Sequence, residues 1–578
     1  MTFLPILGYI CGVMSKGNAL KVAAVTPRVW LADVNKNTEE IIRLCREAAS
    51  NGADIAVFPE LCITGATCGD LYMQDVLQDA AMAALMKIAS ATADLPTTFV
   101  VGLPLPADDG FESGAVIVRG GQFVEDDARF SIATGDFFPA ELPDDVRLVL
   151  HLAASPEEVT KHDWRKRSLA SLTARERAGY VYAAAGYGES TGDFVCSGSS
   201  LIYNNGTLLA EAGRFQPHSG IIYAEIDPDA EGEWHEDCFA GTANTDPHPF
   251  VPSDPDELAS RCEEIMSIQV TGLRARMEHI GCRTAVLGIS GGLDSTLALL
   301  VTVKAFDSLG WDRKNIIAVT MPGFGTSART HTNASDLMAA LGVTAREIPI
   351  GPAVSQHFSD IGHDLAVHDV TFENAQARER TQILMDISND TNGLVVGTGD
   401  LSEIALGWCT YNGDHMSMYG VNGDVPKTLM QAIVRWAAQH RFPEACATLL
   451  DIVDTPISPE LTPTDAQGNI AQKTEDLVGP YELHDFFLYH LVGHGYRPSV
   501  IKSLAVKAFD GRYDEATVDR WLRKFLWRFF SQQFKRSCLP DGPAVGTVSI
   551  SPRGGLAMPS DAVSAVWISE LERIGIEG

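Results

Sequence analysis

The stretch AVLGISGGLDSTLALL at residues 285–300 places a Ser-Gly-Gly turn and an Asp-Ser pair between two apolar runs. A turn at the junction of a strand and a helix directs backbone N–H groups and a helix N-terminus at one point, which suits a phosphate. Asp294 fits beside such an anion if Mg²⁺ lies between its carboxylate and the phosphates. Two glycines allow close approach of the backbone and two serines add hydroxyl donors: Ser290, Gly291, Gly292 and Ser295. The pattern indicates nucleotide binding, and its structural alternative is a glycine-rich turn capped by Asp and Ser.

The second half of the chain alternates apolar, strand-like runs with helical stretches. The runs TAVLGIS, NIIAVTMP and GLVVGTG predict a parallel sheet with helices on both faces. Glycine-rich turns follow them at residues 288–292, 321–327 and 396–403. Because the carboxyl ends of parallel strands meet at one edge of the sheet, we expect these turns to form one ligand-binding crevice.

The first half contains its own strand-like runs, separated by helical stretches such as NTEEIIRLCREAAS. The runs are LKVAAVTP, ADIAVFPE, TTFVVGLP and GAVIVRG. Between the halves, residues 227–255 are acidic and contain prolines, which is typical of a linker. The sequence therefore predicts one domain over 1–226, a linker over 227–255 and a second domain over 256–578.

Composition limits the classes of partner. The chain has 578 residues, 45% of them hydrophobic and 21% charged, as in ordinary soluble globular proteins. Its formal net charge of −31 argues against nucleic acid as a partner. Eleven cysteines without metal-ligand spacing favour a reducing compartment, and no apolar run reaches membrane-span length. We expect a cytoplasmic protein with no membrane partner.

Several longer motifs resemble the glutamine-dependent NAD⁺ synthetase family. In the second half they are SGGLDS, PGFGTSART, NAQARER, VVGTGDLSEIALGWCTYNGDHMSMYGVNGDVPKTL, TPISPEL, GPYELHDFFLY and FKRSCLPDGP. In the first half they are GADIAVFPELCITGATCGDL and ARERAGYVYAAAGYGESTGDFVCSGSSLIYNNGTLLAE. The resemblance implies an α/β protein: an N-terminal nitrilase-like αββα sandwich joined to a C-terminal Rossmann-like doubly wound parallel sheet of the ATP pyrophosphatase type.

The activity that this resemblance implies is amide formation driven by ATP. The nicotinate carboxylate of deamido-NAD attacks the α-phosphate of ATP, which gives an acyl-adenylate and pyrophosphate, and ammonia then displaces AMP. A carboxylate needs this activation because its oxygen is a poor leaving group. The implied cofactors are ATP and Mg²⁺, and the implied partners are small molecules: ATP, deamido-NAD or a related carboxylate, and ammonia or an amine. The resemblance also implies a large homo-oligomer.

The resemblance assigns roles to individual residues of this sequence. Asp294 and Glu403 match the Mg²⁺ ligands, and Thr398 faces ATP together with the residues of SGGLDS. Three further positions meet the substrate: Asn374 and Arg378, four apart on one helix face, and Ser458, whose register is loose. Catalytic roles fall to Asp294 and to two mobile positive charges for the phosphoryl oxygens, Lys427 and Lys535. Standing alone, Arg378 would usually be a solvated helix residue and Glu403 a surface charge, but their place inside matched motifs favours the functional roles. We expect His415 to be a satisfied buried histidine.

The first domain lacks most of the glutaminase residues that the resemblance requires, which are a Glu base, a Lys and a Cys nucleophile. Glu60 matches the base, but no lysine occurs between Lys87 and Lys161. Thr134 occupies the cysteine position, and a threonine hydroxyl is a far weaker nucleophile than a thiolate. The family's tyrosine in the glutamine pocket is Ala66 here. We therefore predict a shortened nitrilase-like domain that does not hydrolyse glutamine.

Other cysteines do not replace the missing nucleophile. Cys62 and Cys68 lie near Glu60 in the sequence, but the matching family positions are structural, and Cys196 is expected in the core. The C-terminal tail departs as well: Ala544 stands for a lysine, and Gly555, Leu556 and Ala557 stand for Asp-Trp-Arg. These four positions served either coupling to the glutaminase or recognition of the acid substrate, and the sequence leaves both open.

The sequence thus favours an NAD synthetase-like ligase whose ammonia comes from a source other than glutamine hydrolysed by the same chain. A divergent paralogue that adenylates another carboxylate, or uses another amine, is the first alternative. A non-catalytic subunit of a synthetase assembly is an alternative of another class, and the intact SGGLDS and GTGDLSE motifs argue against it. A nitrilase-type hydrolase is disfavoured by Thr134.

Overall fold

The computed structural model describes residues 19–573, apart from 108–109, 126, 128, 140, 143–145, 228–245 and 457–473. The described chain divides into two compact units. The first contains residues up to Ser190 and 194–227, and the second contains Thr191–Asp193 and everything from residue 246 onward. Ser458 and most of the predicted linker lie outside the described residues.

The first unit consists of two sheets and three long helices. Its strands are β1 Leu20–Thr26, β2 Ile55–Val57, β3 Thr98–Ala107, β4 Gly110–Arg119, β5 Gln122–Val124, β6 Ser131–Thr134, β7 Leu148–Ala153, β8 Gly179–Ala184, β9 Leu201–Asn204, β10 Thr207–Glu211 and β11 Gly220–Ile226. Its helices are α1 Val34–Ser50, α2 Asp75–Ala91 and α3 Lys161–Glu176, with a 3₁₀ turn at Gly69–Met73. The strand orders are β11-β1-β2-β3-β4-β5 and β10-β9-β8-β7-β6.

Strand β1 shows why this unit has four layers. Its side chains alternate between two cores: Val22 and Ala24 pack with residues of the other sheet, such as Leu150, whereas Ala23 and Val25 pack with α1 and α2. A strand buried on both faces reads as a continuous apolar run, as LKVAAVT does. Helix α3 covers the outer face of the second sheet. The αββα sandwich expected from the sequence is therefore present.

The second unit contains one sheet and fourteen helices among the described residues. The strands are β12 Ala285–Gly288, β13 Ile316–Thr320, β14 Thr344–Glu347, β15 Leu394–Gly397 and β16 Tyr419–Gly420. The helices are α4 Pro255–Ile280, α5 Leu293–Leu309, α6 Ala328–Leu341, α7 Gly351–Ile361, α8 Val370–Thr391, α9 Leu401–Leu406, α10 Lys427–His440, α11 Cys446–Val453, α12 Thr474–Val478, α13 Tyr481–Leu488, α14 Pro498–Ala508, α15 Glu515–Ser531, α16 Gln533–Arg536 and α17 Ala565–Arg573. Short turns lie at Arg313–Asn315, Pro443–Ala445 and, with π-helical geometry, Tyr489–Gly493.

The strand order of this sheet, β14-β13-β12-β15-β16, fixes the position of the ligand crevice. Every neighbouring pair is parallel. The chain adds β13 and β14 on one side of β12 and then crosses to place β15 on the other, so the sheet is doubly wound. The turns after β12 and β15 lie at the point where the winding reverses, and these turns carry SGGLDS and GTGDLSE.

Several helices in the C-terminal part of the second unit pack together into a separate core that is rich in aromatic residues. Helices α13, α14 and α15 supply most of its buried residues, including Phe486 and Phe525. None of the helices in the described part of the chain has the length and hydropathy required to cross a bilayer.

This helical core contains a histidine whose charge state should affect stability. His490 is buried beside Phe486 and Tyr496, and neither ring nitrogen has a hydrogen-bond partner among the described residues. Burial, together with repulsion from His494, lowers the pKa of His490 from 6.5 to about 4. Between these values the unfolded chain binds more protons than the folded chain, so folding stability falls as the pH falls.

We therefore expect His490→Phe to remove this acid sensitivity. The difference in Tm between the variant and the parent protein should be more favourable to the variant at pH 5 than at pH 8, as measured by thermal unfolding. The exposed His279, changed to Gln, is the control and should show no such dependence. An equal difference at both pH values for His490→Phe would contradict the assignment.

Candidate active site

The turn after β12 is held in one conformation by a glycine. Gly291 has φ of +80°, and a Cβ added there would lie 2.0 Å from the Thr330 carbonyl oxygen. The Ser290 hydroxyl accepts a hydrogen bond from the Gly292 N–H at 3.1 Å, and the Ser290 N–H donates to Ser295 Oγ at 3.3 Å. The turn, directly before the first turn of α5, is therefore held in shape by contacts within the protein.

A buried lysine lies at the centre of three carboxylates beside this turn. Lys427 Nζ is 2.6 Å from Asp294 Oδ1, 2.6 Å from Asp400 Oδ2 and 3.0 Å from Glu403 Oε1. Asp294 belongs to the first turn of α5, Asp400 and Glu403 to the start of α9, and Lys427 is the first residue of α10. Three helix N-termini thus converge on one ammonium group, and the two outer carboxylates remain partly exposed.

The electrostatics of this cluster show that it has room for more positive charge. Burial raises the pKa of Asp294 to about 6 against the opposing effect of Lys427. Burial also raises the pKa of Glu403 well above its usual range, and repulsion from Asp400 and Asp294 adds to the shift. Burial disfavours the charged form of Lys427, but the three carboxylates outweigh it and raise its pKa. One ammonium does not neutralise three carboxylates, and a cation at the exposed edge would stabilise their ionised forms.

The donor set suits magnesium. Asp294, Asp400 and Glu403 each offer one carboxylate oxygen, and these oxygens lie within 4.8 Å of one another. Carboxylate oxygens are the ligands that Mg²⁺ prefers in proteins. The structure thus brings the two predicted ligands together and adds Asp400, which sequence reasoning missed. Asp400 caps α9 by accepting hydrogen bonds from the Ser402 and Glu403 N–H groups. An Asp three residues before a Glu is common at helix starts, so the sequence alone indicates a helix cap and not a metal ligand.

Thr398 lies in the turn after β15 and is linked to the turn after β12 through one buried amide. Its carbonyl accepts a hydrogen bond from Asn422 Nδ2 at 3.3 Å, and the same amide donates to the Asp294 carbonyl at 3.0 Å. Asn422 is fully buried, and its Oδ1 accepts from Gln269 Nε2 at 3.1 Å. Asn422 therefore joins the turns after β12 and β15, a function that its position in the sequence did not reveal.

Three further predicted residues of this unit contact the chain between α9 and β16. Asn374 and Arg378 share one face of α8, where Asn374 Oδ1 accepts from the Thr410 hydroxyl and Arg378 Nε donates to the Tyr411 carbonyl. Lys535 Nζ does not reach the carboxylates: it donates to the Gly407 and Cys409 carbonyls at 2.7 and 2.6 Å, just beyond α9.

His415 is the satisfied buried histidine that the sequence led us to expect. Its Nδ1 is 3.1 Å from the Thr410 carbonyl oxygen and its Nε2 is 3.5 Å from Cys538 Sγ. Burial lowers the pKa of His415, so the neutral ring is the form present near pH 7.

A cavity extends from Glu403 to the C-terminal tail. It is lined by Gly397, Gly399, Glu403, Ile404, Cys409, Asp414, His415, Ser417, Gly420, Gly423, Asp424, Leu539, Pro540, Gly542, Pro543, Ser549, Ile550, Ser551 and Arg553. The guanidinium of Arg553 donates to the Leu539 and Pro540 carbonyls and to the Asp193 carboxylate, which fixes the tail side of the wall.

The positions at which the tail departs from the family do not line this cavity. Ala544 donates its N–H to the Asp193 carbonyl at 2.8 Å, directly after the lining residue Pro543. Leu556 packs on the aromatic-rich helical core, and its neighbours Gly555 and Ala557 are exposed. The replacements are therefore beside the cavity wall but outside the cavity.

The first unit brings Glu60 close to the segment that contains Thr134. Glu60 follows β2 and Thr134 ends β6. Burial raises the pKa of the Glu60 carboxyl, and repulsion from Asp136 raises it further, whereas the nearby polar groups of Ser113 and Gly135 oppose the shift. Within the described part of the chain, no positively charged side chain contributes to this shift. The site thus has a second carboxylate, that of Asp136, near Glu60.

The cysteines of this unit are buried thiols. Burial raises the pKa of Cys62 to about 12 and that of Cys68 to about 11. Cys62 Sγ donates to the Gly102 carbonyl at 3.5 Å and Cys68 Sγ to the Thr64 carbonyl at 3.4 Å. Cys196 is buried as well, and burial raises its pKa strongly. A neutral thiol is a poor nucleophile, so the structural role expected for these residues agrees with their surroundings.

The loop around Ala66 is fixed by a carboxylate that sequence reasoning missed. Glu189 is buried and accepts hydrogen bonds from the Ala66 N–H at 2.8 Å, the Thr67 N–H at 3.0 Å and the Thr67 hydroxyl at 2.6 Å. In the sequence, Glu189 lies within GYGESTGD, a stretch without the apolar periodicity that would indicate a buried side chain.

Comparisons with known proteins agree with these two folds. The NAD synthase family model matches residues 265–503, and the carbon–nitrogen hydrolase model matches residues 21–130. The glutamine-dependent NAD(+) synthetase of Mycobacterium leprae is 36% identical, over 96% of this chain and 98% of its own length. That of Mycobacterium tuberculosis strain H37Rv is 35% identical over the same shares. The alignment to the M. leprae protein has 665 positions, more than the 578 residues of this chain, so that relative contains segments with no counterpart here.

Solved structures show the same architecture. A glutamine-dependent NAD(+) synthetase from Cytophaga hutchinsonii superposes with a TM-score of 0.76 at 19% identity, over 96% of this chain and all of that one. The enzyme from Acinetobacter baumannii, solved with ADP, gives a TM-score of 0.64 at 22% identity, over 93% and 98% of the two chains. The two family matches and the relatives at 35–36% identity define the class as a carbon–nitrogen ligase preceded by a nitrilase-like unit. The chain belongs to the glutamine-dependent NAD(+) synthetase family.

The geometry of the SGGLDS turn predicts a sharp difference between its two glycines. Gly291→Ala forces a side chain into a left-handed backbone conformation and against the Thr330 carbonyl. We therefore expect the free energy of unfolding to fall by about 1–3 kcal/mol and the binding of ATP to weaken. Gly292→Ala is the matched comparison, because its Cβ meets only the Ser290 hydroxyl, at 3.2 Å. Denaturant unfolding and calorimetric titration with Mg·ATP would measure both, and equal effects would contradict the account.

Proposed function

We propose that this protein is an ATP- and Mg²⁺-dependent NAD synthetase that takes its nitrogen from ammonia rather than from glutamine hydrolysed by its own first domain. The observation that carries the proposal is the contrast between the two units. The carboxylate cluster around Lys427 is complete, whereas Glu60 lies beside Asp136 and has neither the lysine nor the cysteine of a glutaminase.

The cluster supports the adenylation step. Backbone N–H groups of the SGGLDS turn would bind the phosphates of ATP, and Asp294, Asp400 and Glu403 would hold Mg²⁺. When bound, Mg²⁺ neutralises charge on the phosphoryl oxygens. Lys427 forms ion pairs with the partly exposed carboxylates of Asp294 and Glu403. Its ammonium group can also stabilise the negative charge that develops on the phosphates.

The reaction then runs in two balanced steps. A carboxylate oxygen of the acid substrate attacks the α-phosphorus of ATP, and the bond from that phosphorus to the bridging oxygen breaks to release pyrophosphate. The nitrogen of ammonia attacks the acyl carbon, and AMP leaves with the bonding electron pair while the nitrogen loses a proton. The cavity that begins at Glu403 is where we place the acyl end of the substrate.

Several features of the first unit support the loss of glutamine hydrolysis. The match to the carbon–nitrogen hydrolase family ends at residue 130, before Thr134. Thr134 has no lysine close in the sequence, and the cysteines near Glu60 are buried thiols. The curated relatives are named glutamine-dependent, so this proposal sets the chain apart from them.

Two alternative functions, a ligase for a different acid substrate and a non-catalytic subunit, are each less consistent with the structure. A different acid substrate would be accommodated by changes in the cavity wall, but Ala544 and Gly555–Ala557 lie outside the lining, which favours the loss of coupling to a glutaminase instead. A non-catalytic subunit would have no use for three carboxylates around a buried lysine, since burial of these charges costs free energy.

The proposal also covers the domain boundaries and the oligomeric state of the chain. We assign residues 1–226 to a pseudo-glutaminase domain, 227–255 to a linker and 256–578 to the synthetase domain, and we propose a large homo-oligomer. Thr191–Asp193 are the exception, because these three residues group with the second unit. Analytical ultracentrifugation of the full chain would measure the oligomeric state.

The deciding experiment compares nitrogen sources. Purified protein with ATP, Mg²⁺ and deamido-NAD should release AMP and form NAD with ammonium chloride, and should not do so with glutamine. NAD formation with glutamine at a comparable rate would show that the first domain is active. No AMP release with either source would show that the acid substrate is different or that the protein is not a ligase.

Two substitutions separate the roles of the units. Asp294→Ala removes a carboxylate from the cluster and should abolish AMP release, because Asp294 is one of the residues that would hold Mg²⁺ at the phosphates. Glu60→Ala should leave ammonium-driven NAD formation within a few-fold of the parent rate, measured by NAD formation under saturating ammonium. If Glu60→Ala instead removes this activity, the first unit takes part in the chemistry and the proposal of an inactive glutaminase is wrong.

A further inference from the structure

We propose that Asp485 is a positioning residue of the nucleotide site: its carboxylate holds the first turns of α9 and α10 in the register that places Glu403 and Lys427 together. The motif GPYELHDFFLY, which contains Asp485, has no role in the proposed chemistry so far. The inference rests on the proposed ATP- and Mg²⁺-dependent function of the same site.

The Asp485 carboxylate accepts three hydrogen bonds from two helices. Its Oδ1 accepts from the Ser402 hydroxyl in the first turn of α9. Its Oδ2 accepts from the Thr428 N–H at 2.9 Å and the Thr428 hydroxyl at 2.7 Å, at the start of α10. Asp485 is 1% exposed, so these protein donors replace water around a buried charge.

These contacts lead directly to the charged cluster. The Ser402 hydroxyl that donates to Asp485 also accepts a hydrogen bond from the Lys427 N–H at 2.8 Å. Ser402 lies between Leu401 and the metal-ligand candidate Glu403, and its own N–H donates to Asp400 at 2.9 Å. One carboxylate therefore fixes the backbone from which Asp400, Glu403 and Lys427 all project.

A second residue on α13 contacts the cluster itself. The Tyr481 hydroxyl is 3.2 Å from Glu403 Oε1, and Lys427 Nζ lies 5.4 Å from the centre of the Tyr481 ring. Tyr481 and Asp485 are four residues apart and therefore lie on the same face of the helix. Helix α13 thus presents to the site one group that touches Glu403 and one that orders the backbone behind it.

The same helix provides a matched control. Glu482 is also a mostly buried carboxylate, but its partners are the Tyr513 hydroxyl at 2.5 Å and the Arg512 guanidinium at 2.8 Å, away from the cluster. A general effect of neutralising a buried acid on α13 would appear equally at both positions. An effect through the nucleotide site would appear only at Asp485.

The chemistry of Asp485→Asn makes the test specific. The amide has the same shape but accepts at one atom and donates at the other, so it cannot accept from Thr428 and Ser402 together. The hydroxyl of Ser402 then loses its acceptor, and the first turn of α10 is held less tightly against α9. Thr428→Val is a milder change, because it removes one hydroxyl donor and leaves the Thr428 N–H bonded to Asp485.

The experiment uses the full-length chain and three measurements: calorimetric binding of ATP with and without Mg²⁺, thermal unfolding, and AMP release as a function of Mg²⁺ concentration. We expect Asp485→Asn to weaken binding of Mg·ATP by about tenfold or more and to raise the Mg²⁺ concentration for half-maximal AMP release. Thr428→Val should change both in the same direction by a few-fold, and Glu482→Gln should leave both within about twofold.

Three results would overturn the inference. The first is parent-like Mg·ATP binding by Asp485→Asn, and the second is equal weakening by Asp485→Asn and Glu482→Gln. If Asp485→Asn does not fold, Thr428→Val decides, and parent-like binding by that variant is the third. Absence of Mg·ATP binding by the parent protein would instead remove the proposed function, and the inference with it.

Discussion

The ammonium group of Lys427 among three carboxylates is the contact on which the rest of the second unit depends. A lysine with 1% of its side chain exposed is stable only if its charge is matched, and Asp400, which is fully buried, has the same requirement. The four groups come from three helix starts, with Asp400 and Glu403 both at the start of α9, so the ion pairs can form only when the ends of β12 and β15 and the first turn of α10 are correctly placed. The cost of leaving any of these charges unpaired makes the arrangement specific.

Around this cluster, other polar groups form hydrogen bonds that position the backbone rather than contact the charged side chains directly. Asn422 joins the two strand-end turns through their carbonyl oxygens, and Asp485 joins the first turns of α9 and α10 through Ser402 and Thr428. Such outer contacts restrict the directions in which the inner side chains point. They also explain why α13, which supplies no predicted ligand, is buried along its whole length.

The two units differ in how closely the predicted site residues are tied to the packing of the fold. The four layers of the first unit are stabilised by alternating apolar side chains such as Val22 and Ala23, which face different cores. These contacts do not involve Glu60 or Thr134, so substitutions at these two positions leave the packing of the sandwich unchanged. In the second unit, the charged groups around Lys427 are themselves part of the buried network, and loss of one would leave the others without compensation.

The sequence by itself indicated the parallel sheet of the second unit, because alternating apolar runs and helical stretches are local patterns, and its resemblance to a known family indicated the αββα sandwich. The glycine-rich turns that follow the strand-like runs predicted a ligand crevice at the strand ends, where the switch in strand order lies. The i, i+4 spacing of Asn374 and Arg378 placed them on one face of α8. Tertiary structure alone decided which charges meet: it directed Lys535 to carbonyl oxygens beyond α9, brought Asp400 into the cluster and placed Asp485 behind it. Asp485 and Ser402 are 83 positions apart, and Asp294 and Lys427 are 133 apart, so no local pattern in the chain encodes their contact.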